Sequence, residues 1–348
     1  TDVSSQYQFG NSFYRGYTLG GYNTNIKWEQ TATSNAGIDF GFLNNRITGS
    51  VDVYLKKTTD LLNQVDIPGG TNPANKLVSN VGSMENRGIE LNINTQVIRK
   101  TDMTLDFGFN VAYNKNKITK LTFVSDPTNP GNKYNAGASL PGTGATLNIN
   151  SVNQLRGAFY VYQQVYDAAG KPIEDMFVDR NRDGVINDKD LYQYKNADPL
   201  VFMGFNSNFT YKRWNAGFVM RASIGNYIYN NGDANNGRTS SIFTNNNTVL
   251  RNGAPNVLYT NFKGTSDKYF LSDYYVQNAS FLKMDIINIG YALGKVFNGK
   301  ANLRVNANLQ NVFTITKYTG IDPEINSGVD NNFYARPRIL SLGFNLGF

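Results

Sequence analysis

ILSLGFNLGF, residues 339–348, is the stretch that decides the fold, because its alternation continues to the last residue. Strict period-two alternation predicts a β-strand whose two faces meet different surroundings. The closing strand of a soluble β-sandwich would show the same pattern, so this segment alone leaves a membrane barrel and a sandwich open. Counted by twos from the C-terminus, the large apolar residues are Phe348, Leu346, Phe344, Leu342 and Leu340.

The composition is polar on average, which is compatible with a membrane barrel. Of 348 residues, 17% are charged and 13% are aromatic, and the mean hydropathy is −0.41. A lipid-facing strand needs an apolar side chain only at every second position. The sequence has no apolar run of the ~18 residues that a transmembrane helix requires. A soluble all-β protein rich in Gly and Tyr fits these values nearly as well.

The chain contains no Cys and no His. Thiol catalysis, disulfides, the usual zinc sites and a Ser–His–Asp triad are therefore excluded. The net charge is +7, but Lys and Arg are scattered, which does not favour nucleic-acid binding. We expect no enzymatic activity, and any bound metal must be held by oxygen ligands.

Alternating strands flank three short turns, at 43–46, 99–102 and 212–213, and predict three hairpins. The strand from Met103 to Tyr113 alternates over 11 residues without a break. About 9–11 residues cross a bilayer in a tilted strand, whereas most soluble strands stop at ~5–6. In a further strand, 281–293, the apolar phase slips by one, which predicts a β-bulge. About ten strands are predicted in all.

The predicted connections differ in length between the two ends of the strands. Long segments at 58–82, 115–156, 229–276 and 316–335 are rich in Asn, Gly, Ser, Thr and Pro. Residues 1–25 are predicted to be loop, with one short strand near 13–19. Short turns at one end and long loops at the other are typical of outer-membrane barrels. The prediction is an all-β, transmembrane antiparallel β-barrel over 1–348 with long extracellular loops.

One chemical motif stands out, FVDRNRDGVINDKD at 177–190. Its spacing matches D-x-[DN]-x-[DN]-G-x-I, the pattern of a calcium loop, with Asp in place of the usual final Glu. We expect a structural Ca²⁺ site, not a catalytic one. The alternative is a polar turn whose carboxylates accept backbone N–H groups without metal. The candidate ligands are Asp179, Asn181, Asp183, the Val185 carbonyl and Asp190.

A series of stretches, taken in order and spacing, resembles one family: the C-terminal barrel portion of the SusC/RagA-type TonB-linked outer-membrane transporters. Phe348, Leu346 and Phe344 resemble the C-terminal signal that outer-membrane assembly machinery recognises. The matching stretches are IKWEQTATSNAGIDFGFLNNRITGSVDVYLKKTTDLL (26–62), NVGSMENRGIELN (80–92), FGFNVAYNKNKITKL (107–121), FYVYQQVYDAAGKPIEDMFVDRNRDGVINDKD (159–190), GNYIYN (225–230), NASFLKMDIINIGY (278–291), QNVFTITKYTGIDPE (310–324) and FYARPRILSLGFNLGF (333–348).

The resemblance implies a 22-stranded barrel in the outer membrane of a Gram-negative bacterium, with about half of its strands in this chain. It also implies import of oligosaccharides or peptides with a SusD-like surface lipoprotein, driven by TonB. Outer-membrane lipid is then a further partner. The sequence shows no plug and no TonB box, so we expect it to be the later part of a longer protein. The family places no substrate contact on particular residues here.

Two other functions stay open on the sequence alone. The first is a Ca²⁺-stabilised cell-surface binding or adhesion protein without transport. The second is a barrel-associated hydrolase, which requires a converging acid–base pair. Pairs such as Asp322 and Glu324 are better explained as solvated loop charges.

Overall fold

The computed structural model describes residues 2–18, 21–68, 70, 74, 76–123, 131–134, 146–242, 252–331 and 334–348. Within them, no helix has both the length and the apolar composition needed to span a bilayer. The strands are β1 (Asp2–Phe9), β2 (Ser12–Thr18), β3 (Gln30–Phe42), β4 (Ile47–Asp66), β5 (Lys76–Lys100), β6 (Met103–Lys120), β7 (Asn132–Tyr134), β8 (Asn148–Asn150), β9 (Ala158–Val161), β10 (Gln164–Tyr166), β11 (Pro172–Phe177), β12 (Tyr192–Asn196), β13 (Val201–Tyr211), β14 (Trp214–Ile224), β15 (Tyr227–Asn230), β16 (Val276–Asn278), β17 (Phe281–Val296), β18 (Ala301–Thr316), β19 (Val329–Asp330) and β20 (Ile339–Gly347).

Short helical segments lie among the later strands. Two 3-10 turns are at Asp188–Asp190 and Asp273–Tyr275. The α-helices are α1 (Asn231–Asn236), α2 (Thr239–Ile242), α3 (Asn256–Thr260) and α4 (Asp267–Phe270).

One nine-stranded antiparallel sheet, the main sheet, contains the long strands. Its order is β20-β18-β17-β14-β13-β6-β5-β4-β3. The three predicted hairpins are confirmed as β3–β4, β5–β6 and β13–β14. The tenth predicted strand, near 13–19, is β2, which pairs with β1 in a separate hairpin where loop was expected.

The main sheet has one apolar and one polar face. Because directly opposed residues share a face, Phe344 on β20 aligns through Val305 and Tyr291 with Trp214. The apolar side chains remain open to the surroundings: Phe344 is 70% exposed and Ile38, on β3, is 72% exposed. An exposed apolar face of this extent is what a bilayer-facing sheet requires.

The aromatic side chains of the apolar face contact one another within the sheet. Phe205 lies 5.5 Å from both Phe107 and Phe218 between ring centroids. Near the short turns, Trp214 and Tyr291 are 4.6 Å apart. Trp and Tyr at this height are typical of the interfacial girdle of a membrane barrel.

The two ends of the main sheet differ as predicted. The connections 43–46, 101–102, 212–213 and 297–300 lie at one end. The connections at the other end are 67–75, 121–200, 225–280 and 317–338.

The predicted loop bounds are wrong at β4, β5 and β6. The segment 58–82 is mostly strand, since β4 continues to Asp66 and β5 begins at Lys76. Likewise β6 continues to Lys120, inside the predicted loop 115–156. Towards the long-loop end of these strands, polar residues occur on both faces of the main sheet. The apolar–polar alternation therefore ends there, although the backbone hydrogen bonds between the strands continue.

The predicted bulge in β17 is confirmed. The register shifts between Met284 and Ile286 against β18, and between Val219 and Met220 against β14. Against β14, Asp285 is the extra residue, because no residue of β14 lies between Val219 and Met220 to pair with it. Against β18, two residues of β18, 311 and 312, lie opposite Asp285.

On the polar face, asparagines lie across glycines of the neighbouring strands. Gly290 is directly opposite both Asn215 and Asn306. A Cβ at Gly290 would come 2.6 Å from Asn306 Oδ1 and would also clash with Asn215 Oδ1. Gly108 and Asn206 repeat this arrangement, with 2.7 Å between a Cβ on the glycine and Asn206 Nδ2.

We predict that Gly290→Val destabilises the full-length barrel by about 1–3 kcal/mol, the usual cost of overpacking. The control is Gly343→Val on β20, because a Cβ at Gly343 meets no atom within 4 Å. The measurement is the temperature at which the unboiled protein loses its folded gel mobility. Equal shifts for the two variants would contradict the packing argument.

Candidate substrate-facing surface

The described parts of the two longest connections, 121–200 and 225–280, pack into one body at the long-loop end of the main sheet. We call the buried residues of this body the loop core. Tyr162, Tyr229 and Tyr275 lie at its centre, each no more than 2% exposed. The rings of Tyr229 and Tyr275 are 6.0 Å apart in an edge arrangement, which is favourable for aromatic pairs. These loops therefore have a hydrophobic core of their own.

Backbone hydrogen bonds join the two connections of the loop core. Tyr162 N–H donates to the Leu271 carbonyl at 2.7 Å, and Asp273 N–H donates to the Tyr162 carbonyl at 3.0 Å. The Ser272 hydroxyl donates to Gln164 Oε1 at 2.7 Å. These contacts join residues more than 100 positions apart, so neither loop is arranged independently of the other.

Asp273 is the charged group at this junction. Its carboxylate accepts Gln164 N–H at 3.0 Å and the Tyr192 hydroxyl at 2.6 Å. Burial raises the pKa of Asp273, while these two hydrogen bonds oppose the shift. The carboxylate thus acts as an acceptor that fixes β12 against the junction.

A second charged cluster ties the 317–338 connection to the polar face of the main sheet. Glu324 on this connection contacts Lys283 Nζ at 2.6 Å and Arg336 Nη1 at 3.1 Å, and also pairs with Arg221. The Lys283 and Glu324 side chains are only 4% and 8% exposed. Buried charges require such partners, because an unpaired charge away from water is costly.

The β17 bulge supplies another member of this cluster. Arg221 on β14 contacts the Asp285 carboxylate through two nitrogens, at 2.7 and 3.1 Å. Arg336 also contacts Asp322 at 3.1 Å. The prediction that Asp322 and Glu324 are solvated loop charges is therefore wrong, since both belong to this ion-pair cluster.

A cavity of about 510 Å³ lies beside the cluster. Its lining combines charged groups, Arg221 and Glu324, with amides such as Asn110 and Asn226. It also includes the Phe281 side chain. Amides with an adjacent aromatic ring are suited to binding a polar, uncharged solute.

The predicted calcium ligands lie together in one turn. Asp179 accepts Arg182 N–H at 2.7 Å and Gly184 N–H at 2.8 Å. Asp183 accepts Val185 N–H at 2.9 Å. Asn181 donates its amide N–H to Asp183 at 2.8 Å.

Asp190 closes this turn from a buried position. Its carboxylate accepts N–H groups from Asn187 at 2.8 Å and from Arg180 at 2.9 Å. The pKa of Asp190 lies below its ordinary value, mainly because of the hydrogen bond from Asn187 N–H. The hydrogen bonds from Arg180 N–H and Asn181 N–H lower it further. In the part of the chain that the structure describes, no group of three acidic side chains is close enough to hold a metal ion. These hydrogen bonds do not test calcium binding, which stays a prediction.

The predicted C-terminal signal residues lie on the apolar face or just past it. Phe344 and Leu346 are in β20, and Phe348 follows its last residue and is 97% exposed. Their recognition by assembly machinery stays a prediction.

A family model described as TonB dependent receptor-like, β-barrel, matches residues 3–180. The chain belongs to this family. It is therefore part of an outer-membrane β-barrel of a Gram-negative bacterium, with the apolar face towards lipid and the polar face towards the interior. The long connections are the extracellular loops.

Relatives of known name match almost all of the chain. TonB-dependent receptor SusC of Bacteroides thetaiotaomicron is 42% identical over 99% of this chain and 34% of its own length. TonB-dependent receptor P3 of Formosa agariphila is 28% identical over 94% of this chain and 35% of its own length. The chain thus spans about a third of the length of these curated relatives.

The fold is also that of a solved transporter. The RagAB peptide importer in its closed-closed state superimposes with a TM-score of 0.74 at 24% identity. The superposition covers 99% of this chain and 38% of the RagAB chain.

We predict that Glu324→Gln releases the 317–338 connection from the interior wall. Breaking one member out of a buried ion cluster costs about 3–5 kcal/mol, because its partners stay buried without their counter-charge. Trypsin cleavage after Lys317 and Arg338 in the full-length protein measures this release, and we expect it to accelerate. The control is Glu90→Gln. Glu90 is an exposed carboxylate on β5 that lies on the polar face of the main sheet, as Arg221 and Lys283 do. Equal cleavage of both variants would contradict the anchoring role of Glu324.

Proposed function

We propose that the full-length protein imports oligosaccharides or peptides across the outer membrane, with a SusD-like lipoprotein and energy from TonB. The observation that carries the proposal is the 42% identity to SusC across 99% of this chain. This chain spans 34% of the length of that relative. The plug, the contact with TonB and the substrate are therefore proposed for the full-length protein.

The interior wall supports passage of a polar solute. Asparagines such as Asn110, Asn206 and Asn306 line it, and each amide offers both a donor and an acceptor. Glycines between them keep the wall shallow, because no side chain projects at those positions. Such a surface can donate hydrogen bonds to, and accept them from, both the hydroxyl groups of oligosaccharides and the peptide groups of peptides.

The exposed surface of the packed loops supports a protein partner outside the membrane. On α3, Leu258 is 89% exposed and Tyr259 is 52% exposed, although both belong to an ordered helix. The Tyr259 hydroxyl donates to the Gly170 carbonyl at 3.3 Å, which holds α3 beside the turn of the other connection. Exposed apolar side chains on a fixed extracellular surface suit contact with a surface lipoprotein.

Uptake by cells tests the proposal. We expect cells with the full-length protein to accumulate one of two labelled pools, mixed oligosaccharides or mixed peptides, and a deletion strain to lose that accumulation. A protonophore should abolish it, because TonB-driven transport depends on energy. A tagged full-length protein extracted in mild detergent should retain a lipoprotein encoded beside it.

Unchanged uptake of both pools after deletion would refute import. Loss of adhesion to a glycan-coated surface with normal uptake would instead favour the cell-surface binding function. Uptake that persists without proton-motive force would refute the TonB requirement.

We also propose that residues 179–190 bind one Ca²⁺ as a structural clamp. The motif spacing supports this, as does Gly184, whose φ of +81° provides the sharp turn that the sixth position of such a loop requires. Asp179 and Asp183 direct their carboxylates to the same turn.

We predict that the full-length protein carries about one calcium per chain and that Asp183→Ala loses it, as measured by elemental analysis after dialysis. The control is Asp167→Ala, because Asp167 also accepts two backbone N–H groups, from Ala169 and Lys171, but lies outside the motif. Unchanged calcium in Asp183→Ala would refute the clamp.

A further inference from the structure

The lipid-facing surface of β4, β5 and β6 changes character towards the extracellular end. The last apolar row contains Tyr113, and the next two rows contain four basic side chains and one acidic one. Successive rows of directly opposed residues are Val53–Ile89–Tyr113, Leu55–Arg87–Lys115 and Lys57–Glu85–Lys117.

Arg87 and Lys115 are directly opposite each other on this outward face. Like charges at directly opposed positions destabilise an antiparallel pair. Among the described residues, the ion pairs include neither of them, and also neither Lys57 nor Lys117. Glu85 is the single acidic group in these two rows, so positive charge predominates.

A cleft lies beside these rows. It has a volume of about 470 Å³ and is lined by Glu85, Arg87, Lys115 and Lys117 on one side and by Asn153 and Gln154 on the other. The second wall is fixed, because the segment around Asn153 exchanges two backbone hydrogen bonds with Ile118 of β6, at 2.8 and 3.0 Å. The cleft thus presents three cations, one carboxylate and several amides from two rigid elements, and its net charge is positive.

We propose that this cleft, which we call the basic cleft, binds the anionic, phosphate-bearing headgroup of an outer-leaflet lipid. A phosphate between Arg87 and Lys115 would relieve their mutual repulsion. Directly opposed Cβ atoms are about 5 Å apart, which lets both side chains reach one phosphate.

The apolar row beneath the cleft identifies the source of the phosphate as lipid. Ile89 is 46% exposed and Tyr113 is 39% exposed, immediately below Arg87 and Lys115 on the same face. Acyl chains descending from a bound headgroup would cover these side chains. Free phosphate would leave them uncovered, and a solute inside the barrel cannot reach this outward face.

Native mass spectrometry of the full-length protein in lipid nanodiscs tests the proposal. The nanodiscs contain phosphatidylglycerol mixed with phosphatidylcholine, and the measured quantity is the ratio of the two lipids retained on the protein. The test variant is Arg87→Gln/Lys115→Gln. The matched control is Lys56→Gln/Arg304→Gln, which removes two exposed cations from the opposite face.

We expect the wild type and the control to retain phosphatidylglycerol preferentially. We expect the preference of the test variant to fall roughly 25-fold, the product of about fivefold for each cation near an anionic lipid. Folded gel mobility of every variant confirms that the barrel is intact.

Two results would overturn the proposal. The first is no preference in the wild type, or an equal fall in test and control variants, which would show a general charge effect. The second is displacement of the lipid by millimolar inorganic phosphate, which would show that the cleft takes a free anion. Neither result bears on import, so this inference fails or stands separately from the proposed function.

Discussion

A bilayer offers no hydrogen-bond partners, and this constraint determines the rest of the structure. Every N–H and C=O in the hydrocarbon must be satisfied by a neighbouring strand. The pairing from β20 to β3 does this through continuous antiparallel ladders. Fixed register then assigns each residue to the lipid or to the interior, which is why apolar residues, asparagine–glycine pairs and buried charges separate so cleanly.

The sequence predicted what local periodicity determines. The three predicted hairpins were correct because both strands of each alternate through the membrane. The turn predicted at 99–102 is shorter, 101–102, because β5 continues to Lys100. The β17 bulge was visible because a single inserted residue, relative to β14, shifts the apolar phase. The upper parts of β4 and β5 were missed because water bathes both faces there, so the residues carry no alternation although the strands remain paired.

Contacts between distant segments were beyond prediction. Glu324 pairs with Arg221 and Lys283, which lie 103 and 41 positions away (324 − 221 and 324 − 283), and each looks like an ordinary surface charge in its own segment. The junction of Asp273 with Gln164 and Tyr192 has the same character. In both cases burial, rather than residue type, separates these charged residues from ordinary surface charges. Their burial follows from how the long connections pack.

The bulge at Asp285 also governs how this strand can change length during evolution. A single insertion elsewhere in a membrane strand turns every following side chain to the wrong environment. At Asp285 the extra residue already changes which alternate positions face the lipid. Both parts of the strand remain correctly oriented, because Leu282 before the bulge and Ile287 after it are opposite apolar residues of β14. The part of β17 from Phe281 to Ala292 therefore behaves as two short strands joined end to end, and either part tolerates length changes only in steps of two residues.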